Sequence, residues 1–364
     1  MRIGIDIRAL MEGKTTGVEV YVTNLLHALF KLDTVNQYVL FANNARPVKL
    51  PEFRYPNVET RLTRYPNKFF NLCQKFLRWP KVNRLLGGVD LFFSPHWRVV
   101  ALDSDVPLVV TFHDLSFEVM PSFFSRWQRI WHKFMNYREA ARRAVRVIAV
   151  SESTRRDLLE LYGVPEEKIR VIHSGVRLSE VVQPVADLPE QYFLALGTFE
   201  PRKNLTSVLA AYGEYCRQSR VSRRLVLAGS RGWNVHLLIP DGLRDKIFVI
   251  QDVTDAQKTY LYKRAFALLF LSFYEGFGFP ILEAAKSGVP VIASFATSLP
   301  EIGADFMISV NPFRSSQVTE CMLDLEEEPE YYSSLRARGA AGAENFTWDK
   351  TAAAVLALFQ EVKK

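Results

Sequence analysis

Short apolar runs alternate with longer amphipathic stretches along this chain, and the alternation occurs twice. In the first half, Arg2–Arg8 reads as a strand and Val18–Lys31 as an amphipathic helix. Apolar runs at Tyr38–Phe41, Leu91–Phe93, Leu108–Phe112, Val145–Val150 and Arg170–His173 are short and bounded, as buried parallel strands should be. The helical pattern over Ser151–Tyr162 opens with the capping-type residues Ser151, Ser153 and Thr154. In the second half, strands are expected at Tyr192–Leu196, Leu225–Ala228, Ile247–Ile250, Ala267–Leu271 and Val289–Ala293. Helices fall between them at Leu205–Arg217, Ala256–Arg264 and Ile281–Ser287. A last helix, Trp348–Val362, follows a break at Asn345-Phe-Thr. Such alternation predicts an α/β protein with two doubly wound parallel sheets. Val176–Glu190, with two prolines and no clear period, is the expected linker.

Size and composition agree with two domains. The 364 residues exceed a usual single core, and 48% hydrophobic content is ample for packing. No run of eighteen apolar residues occurs, so no transmembrane helix is expected. Met1-Arg-Ile-Gly-Ile-Asp-Ile starts directly as a strand, without the regions of a signal peptide. Cys73, Cys216 and Cys321 show no metal-like spacing, and thiols in a reducing cytoplasm are expected.

Charge changes the picture in one place. Residues 1–180 carry 27 Lys and Arg against 18 Asp and Glu, a net of +9, whereas the remainder is at −2. Tyr65–Leu85 holds five basic residues and no acid, and Ser122–Arg146 holds seven and one, both interleaved with Phe and Trp. Two readings stand. The stretches suit an anionic membrane surface, or their aromatics are core with solvated Lys and Arg opposite. No nucleic-acid motif accompanies them, and no nucleic-acid partner is expected.

The candidate chemistry concentrates in Phe273-Tyr-Glu-Gly-Phe-Gly-Phe-Pro-Ile-Leu-Glu283. Glu275 and Glu283 stand eight positions apart around a glycine-rich loop between an apolar strand and a helix. Pro280 suits the first helical turn and Gly288 its end. In open α/β sheets such loops, at the carboxyl ends of strands, bind ligands. The amides of Gly276, Phe277, Gly278 and Phe279, with the helix N-terminus, favour an anion or several hydroxyl oxygens. Two carboxylates there could hold two sugars, so the segment reads as a sugar-nucleotide site. Gly197-Thr-Phe-Glu-Pro-Arg-Lys-Asn204 adds Arg202 and Lys203, positive charges beside a helix start and suited to a diphosphate. Val109–Ser116 ends a buried strand with His113 and Asp114, and Lys14–Tyr21 places Gly17 between the first strand and helix.

The string Glu-Gly-Phe-Gly-Phe-Pro-x-x-Glu-Ala resembles the signature of retaining GT-B glycosyltransferases, in particular the family-four group that includes many bacterial mannosyltransferases. The resemblance implies a GT-B fold, two Rossmann-like domains facing a cleft. Residues 1–178 would bind acceptor, 179–347 the nucleotide-sugar, and the helix over 348–364 would cross back onto the first domain. It implies catalytic roles for His113, Arg202, Lys203 and Glu275. Glu275 and the Gly276–Phe279 amides would hold the donor sugar, Glu283 the ribose, Arg202 and Lys203 the diphosphate, and Gly17 would approach the donor. His113 is assigned to positioning. The chain departs from many relatives with Thr198 in place of an arginine and Glu19 in place of a second glycine.

Because Arg202 and Lys203 can neutralise the diphosphate charge in place of a cation, metal-independent transfer without a resident cofactor is expected. The expected reaction moves a hexose, first choice mannose from GDP-mannose, to a saccharide or lipid-linked acceptor in surface polysaccharide or lipopolysaccharide assembly. The expected location is cytoplasmic, at the inner face of the membrane if the basic-aromatic stretches bind it. A UDP-sugar donor, a non-catalytic sugar-nucleotide-binding protein, a glycoside hydrolase and a GT-B epimerase are the alternatives weighed.

Overall fold

The computed structural model describes residues 1–11, 17–46, 51–230, 232 and 238–363. The chain divides into two compact units. One comprises Met1–Leu115, Trp127–Gly175 and Thr347–Lys364; the other comprises Ser116–Arg126 and Val176–Phe346.

The first unit is built on a seven-stranded, wholly parallel sheet: β1 (Arg2–Asp6), β2 (Gln37–Asn43), β3 (Val58–Thr63), β4 (Leu91–Ser94), β5 (Leu108–Phe112), β6 (Arg146–Ala149) and β7 (Ile169–Val171). Their spatial order is β3-β2-β1-β4-β5-β6-β7. The direction of winding therefore reverses between β1 and β4. Strand β3 escapes the hydrophobic pattern because it is an edge strand, and VETRLT faces largely outward. Helix Gly17–Leu32 buries Tyr21, Val22, Leu25, Leu26, Leu29 and Phe30, an amphipathic stripe at helical spacing. The C-terminal helix Trp348–Lys363 packs in this unit: Phe359 meets Phe93 edge-on at 5.2 Å, and Thr351 donates to the His173 carbonyl at 2.8 Å.

The second unit holds six parallel strands: β8 (Tyr192–Leu196), β9 (Arg224–Gly229), β10 (Ile247–Gln251), β11 (Ala265–Phe270), β12 (Val291–Ser294) and β13 (Met307–Val310). Their order, β10-β9-β8-β11-β12-β13, reverses between β8 and β11. All six residues of β11 are buried, which is why AFALLF reads as a continuous apolar run rather than an alternating one. β13 is only four residues long, too short for a period to register in the sequence. Gly229 ends β9 at φ +153°, where an added Cβ would lie 1.9 Å from the Gly197 carbonyl oxygen. Glycine alone lets the loops after β8 and β9 approach this closely, and Phe199 N–H then donates to the Ser230 carbonyl at 2.9 Å.

Candidate active site

The reversal between β8 and β11 leaves a crevice position at the carboxyl ends of these two strands, where open α/β sheets bind ligands. Both sugar-nucleotide motifs emerge there. After β8, Pro201–Lys203 forms one 3₁₀ turn, and Asn204 in the left-handed region (φ +53°) turns the chain into helix Leu205–Gln218. The Asn204 amide donates to the carbonyls of Leu271 and Pro312, fixing this turn to the end of β11. Phe273 N–H donates to the Arg202 carbonyl at 2.9 Å, so the two motif loops are joined through the backbone.

The structure brings Arg202, Lys203 and Glu275 together. Arg202 Nη1 donates to Glu275 Oε2 at 2.8 Å, and Lys203 Nζ donates to Oε1 at 2.5 Å. Arg202 also grips Glu200 Oε1 through Nε and Nη2, at 2.9 and 2.6 Å, and donates to the Tyr274 carbonyl at 2.7 Å. Glu200 and Glu275 are buried. The two cations expected to meet a diphosphate sit in a compact quartet with two carboxylates, because cations at a helix start oppose its dipole and burial demands a partner for each. Burial alone would raise the Glu275 carboxyl, but Arg202 and Lys203 outweigh it and hold it down to about 2. Burial lowers the Lys203 ammonium despite the neighbouring Glu275.

A second set of groups braces the Glu275 loop. Thr297 Oγ1 accepts from Glu275 N–H and donates to its carbonyl, both at 2.8 Å. Ser298 Oγ bonds the carbonyls of Glu275 and Phe277. Gly278, at φ +106°, is the residue before helix Phe279–Lys286, a backbone state that a side chain would strain. Phe277 is buried and meets Phe279 edge-on at 5.2 Å, leaving Gly276 to Phe279 as a tight turn into the helix N-terminus.

Glu283 lies on that helix and is buried. Lys258 Nζ donates to its Oε1 at 2.7 Å and Tyr262 Oη to its Oε2 at 2.9 Å. Lys258 and Tyr262 are four residues apart on helix Asp255–Arg264, whose start is a capping box of Thr254 and Gln257. Burial opposes the charge on Lys258, yet Glu283 and Asp255 raise it overall. The sequence reading missed both partners. Their only signal was the i, i+4 pairing of polar groups on one helix face.

His113 and Gly17 fall in the first unit. Gly17 is exposed and opens helix Gly17–Leu32, whereas Lys14, Thr15 and Thr16 of its motif lie outside the described residues. His113 follows β5; its Nε2 donates to the Pro95 carbonyl at 2.9 Å, and Tyr21 from the Gly17 helix meets its ring edge-on at 4.7 Å. His96, after β4, lies 5.7 Å from it between ring centroids. Burial pushes His113 down to about 4 and His96 well below the usual histidine range. Among the described residues, no three His, Cys, Asp or Glu side chains are grouped to hold a metal ion. No described helix is long and apolar enough to cross a membrane.

Two doubly wound parallel sheets, with this glycine-rich loop at a switch point, have the GT-B fold. The chain belongs to the group 1 glycosyltransferases: residues 15–180 match Glycosyltransferase Family 4, and residues 179–341 match Glycosyl transferases group 1. It is 31% identical over 255 residues to O-antigen chain mannosyltransferase B of Escherichia coli, covering 66% of this chain and 67% of that one. To O-antigen chain mannosyltransferase RfbU of Salmonella typhimurium it is 27% identical over 250 residues, 68% of each chain. Its fold matches sucrose-phosphate synthase from Thermosynechococcus elongatus with a TM-score of 0.77 at 19% identity, covering 100% of this chain and 99% of that one.

Proposed function

We propose that this glycosyltransferase moves mannose from GDP-mannose to a saccharide or lipid-linked acceptor in surface polysaccharide assembly, with retention at the anomeric carbon and without a metal ion. The observation that carries the reading is the quartet of Glu200, Arg202, Lys203 and Glu275 at the β8–β11 switch point. The mannosyl and O-antigen assignments rest on the two relatives named above.

Arg202 and Lys203 supply two positive charges to the leaving diphosphate, the task a divalent cation performs elsewhere. Glu275 accepts hydroxyls of the donor sugar, and Glu283, steadied by Lys258 and Tyr262, accepts those of the ribose. In the reaction the acceptor oxygen bonds to the anomeric carbon on the face the phosphate leaves. The C–O bond to phosphate breaks with its electron pair, and a phosphate oxygen takes the acceptor proton. His113 positions groups near the reacting sugar and does not serve as general base, since burial lowers its basicity to about 4 and its Nε2 proton is committed to Pro95.

A thermal-shift series with GDP, UDP, ADP and dTDP tests the donor base, because a ligand binding the folded state raises the melting point. The largest shift is expected with GDP. A largest shift with UDP would reassign the donor to a UDP-sugar. Release of GDP from GDP-mannose with acceptor extract, unaffected by EDTA, is the matching activity result; loss in EDTA and rescue by Mn²⁺ would overturn metal independence.

A further inference from the structure

We infer that the first unit carries a docking face for an anionic lipid bilayer, formed by the segments Asn67–Leu77 and Trp127–Met135. Helix Arg126–Met135 has its apolar residues at Trp127, Ile130, Trp131 and Phe134, the i, i+3, i+4, i+7 stripe that ordinarily faces a core. Here most of that stripe points outward. Trp127 is 81% exposed, Ile130 59% and Trp131 50%. Phe134 turns toward the first segment, meeting Phe76 edge-on at 5.9 Å, with Lys75 Nζ 3.5 Å from the centroid of its ring. Just beyond the two segments, Arg78 and Glu139 form an ion pair at 2.8 Å. On the first segment Phe69, Leu72, Phe76 and Leu77 are exposed in turn, while Phe70 is buried beneath them. The two readings of these stretches thus divide residue by residue: Phe70 is core, and the others form one apolar surface.

Cations share these segments, those of helix Arg126–Met135 on the side away from its apolar stripe. Lys68, Arg129 and Lys133 are exposed on the same two segments. Aromatic rings flanked by Lys and Arg on a helix lying flat suit the boundary between lipid headgroups and acyl chains. A second copy of the chain fits poorly, since a self-complementary contact sets the same cations against one another. An anionic bilayer accepts both components at once, the rings by burial and the cations by the surface potential. This inference stands apart from the choice of donor and acceptor, because binding to lipid is read without turnover.

The test is co-sedimentation of the full chain with vesicles of phosphatidylglycerol and phosphatidylethanolamine, against vesicles of phosphatidylcholine alone. Binding to the anionic vesicles only, released as salt rises, is expected. Lys68→Ala, Arg129→Ala and Lys133→Ala together should weaken the partition on the order of a hundredfold, about fivefold per charge. Trp127→Ser with Trp131→Ser should abolish it while melting temperature stays unchanged, as both rings are solvent-exposed. Equal sedimentation with both vesicles, none with either, or full binding by the tryptophan double variant would overturn the proposal. So would a dimer in sedimentation velocity that the double variant dissolves, which would assign the face to self-association.

Discussion

Lys203 Nζ lies 2.5 Å from Glu275 Oε1, closing an ion pair between the loops after β8 and β11 across 72 positions of sequence. With Arg202 on the other carboxylate oxygen, Glu275, the proposed acceptor of donor-sugar hydroxyls, is also the anionic partner of both cations. Its two roles conflict in an informative way. Glu275→Gln should leave two buried cations undercompensated, lowering unfolding free energy by about 3 kcal/mol. GDP should restore much of that loss by supplying the missing negative charge. GDP affinity is therefore expected to hold or rise while mannosyl transfer drops by orders of magnitude. Calorimetry with GDP and single-turnover transfer measure the two; parallel loss of both would refute this division.

The same pair sets an acid limit. The Glu275 carboxyl is held at about 2 in the fold, below its ordinary 4.5. Its stabilising contribution is complete above the ordinary value and drains as pH falls toward 2, where the folded carboxylate also takes up a proton. Urea unfolding of the wild type and Glu275→Gln between pH 7 and 3 should show their stability gap narrowing below about pH 5. A gap constant over that range would mean the charge contributes nothing.

Much of the fold was legible because fully buried parallel strands announce themselves. LVVTF of β5 is apolar but for the buried Thr111 and AFALLF of β11 is apolar throughout, and burial on both faces permits that. VETRLT of β3 gave no such signal, because an edge strand needs backbone pairing to β2 and little burial. The site divides similarly. Glu275, Gly278 and Glu283 were visible because a turn of that shape demands particular residues in a row. Lys258, Tyr262, Thr297 and Glu200 were not, since their roles depend on which side chains the sheets bring within reach. Nothing in the chain's periodicity links Lys258 to Glu283.

Lys258 and Tyr262 should act on nucleotide binding through Glu283. Tyr262→Phe removes a buried hydrogen bond to a charged acceptor and should cost about 1.5–3 kcal/mol of stability. Lys258→Met leaves a buried carboxylate without its cation and should cost about 3 kcal/mol or more. Asp255→Asn, altering an exposed partner 3.3 Å from Lys258, should cost under about 1 kcal/mol. Chemical denaturation ranks the three, and GDP titration should show Lys258→Met weakened beyond Asp255→Asn. Unchanged GDP affinity in Lys258→Met would remove Lys258 from the site.

Lys203→Ala should lower both turnover and GDP affinity while sparing guanosine, since the proposed contact of the ammonium is with the diphosphate alone. Arg202→Ala should also destabilise the fold, because Arg202 ties the two loops through the Tyr274 carbonyl and Glu200. Titrations with guanosine and GDP separate these effects. Equal weakening of both ligands by Lys203→Ala would place the lysine elsewhere than at the diphosphate.

His113 makes a pH prediction of the opposite origin but the same direction. Burial lowers its imidazole to about 4, outweighing the Pro95 carbonyl and the Asp114 charge, both of which favour the protonated ring. Between its ordinary 6.5 and 4, the unfolded chain takes up a proton that the fold refuses, so stability falls as pH falls through that window. His113→Gln keeps an N–H to offer the Pro95 carbonyl and carries no titrating ring. The wild type should therefore lose more stability than the variant between pH 7 and 4.5, the more so because His113 is one of the groups that lower the nearby His96. Nitrogen NMR should find His113 neutral with its proton on Nε2 at pH 6. A ring titrating near 6.5 would contradict the assignment and return His113 to consideration as a proton carrier.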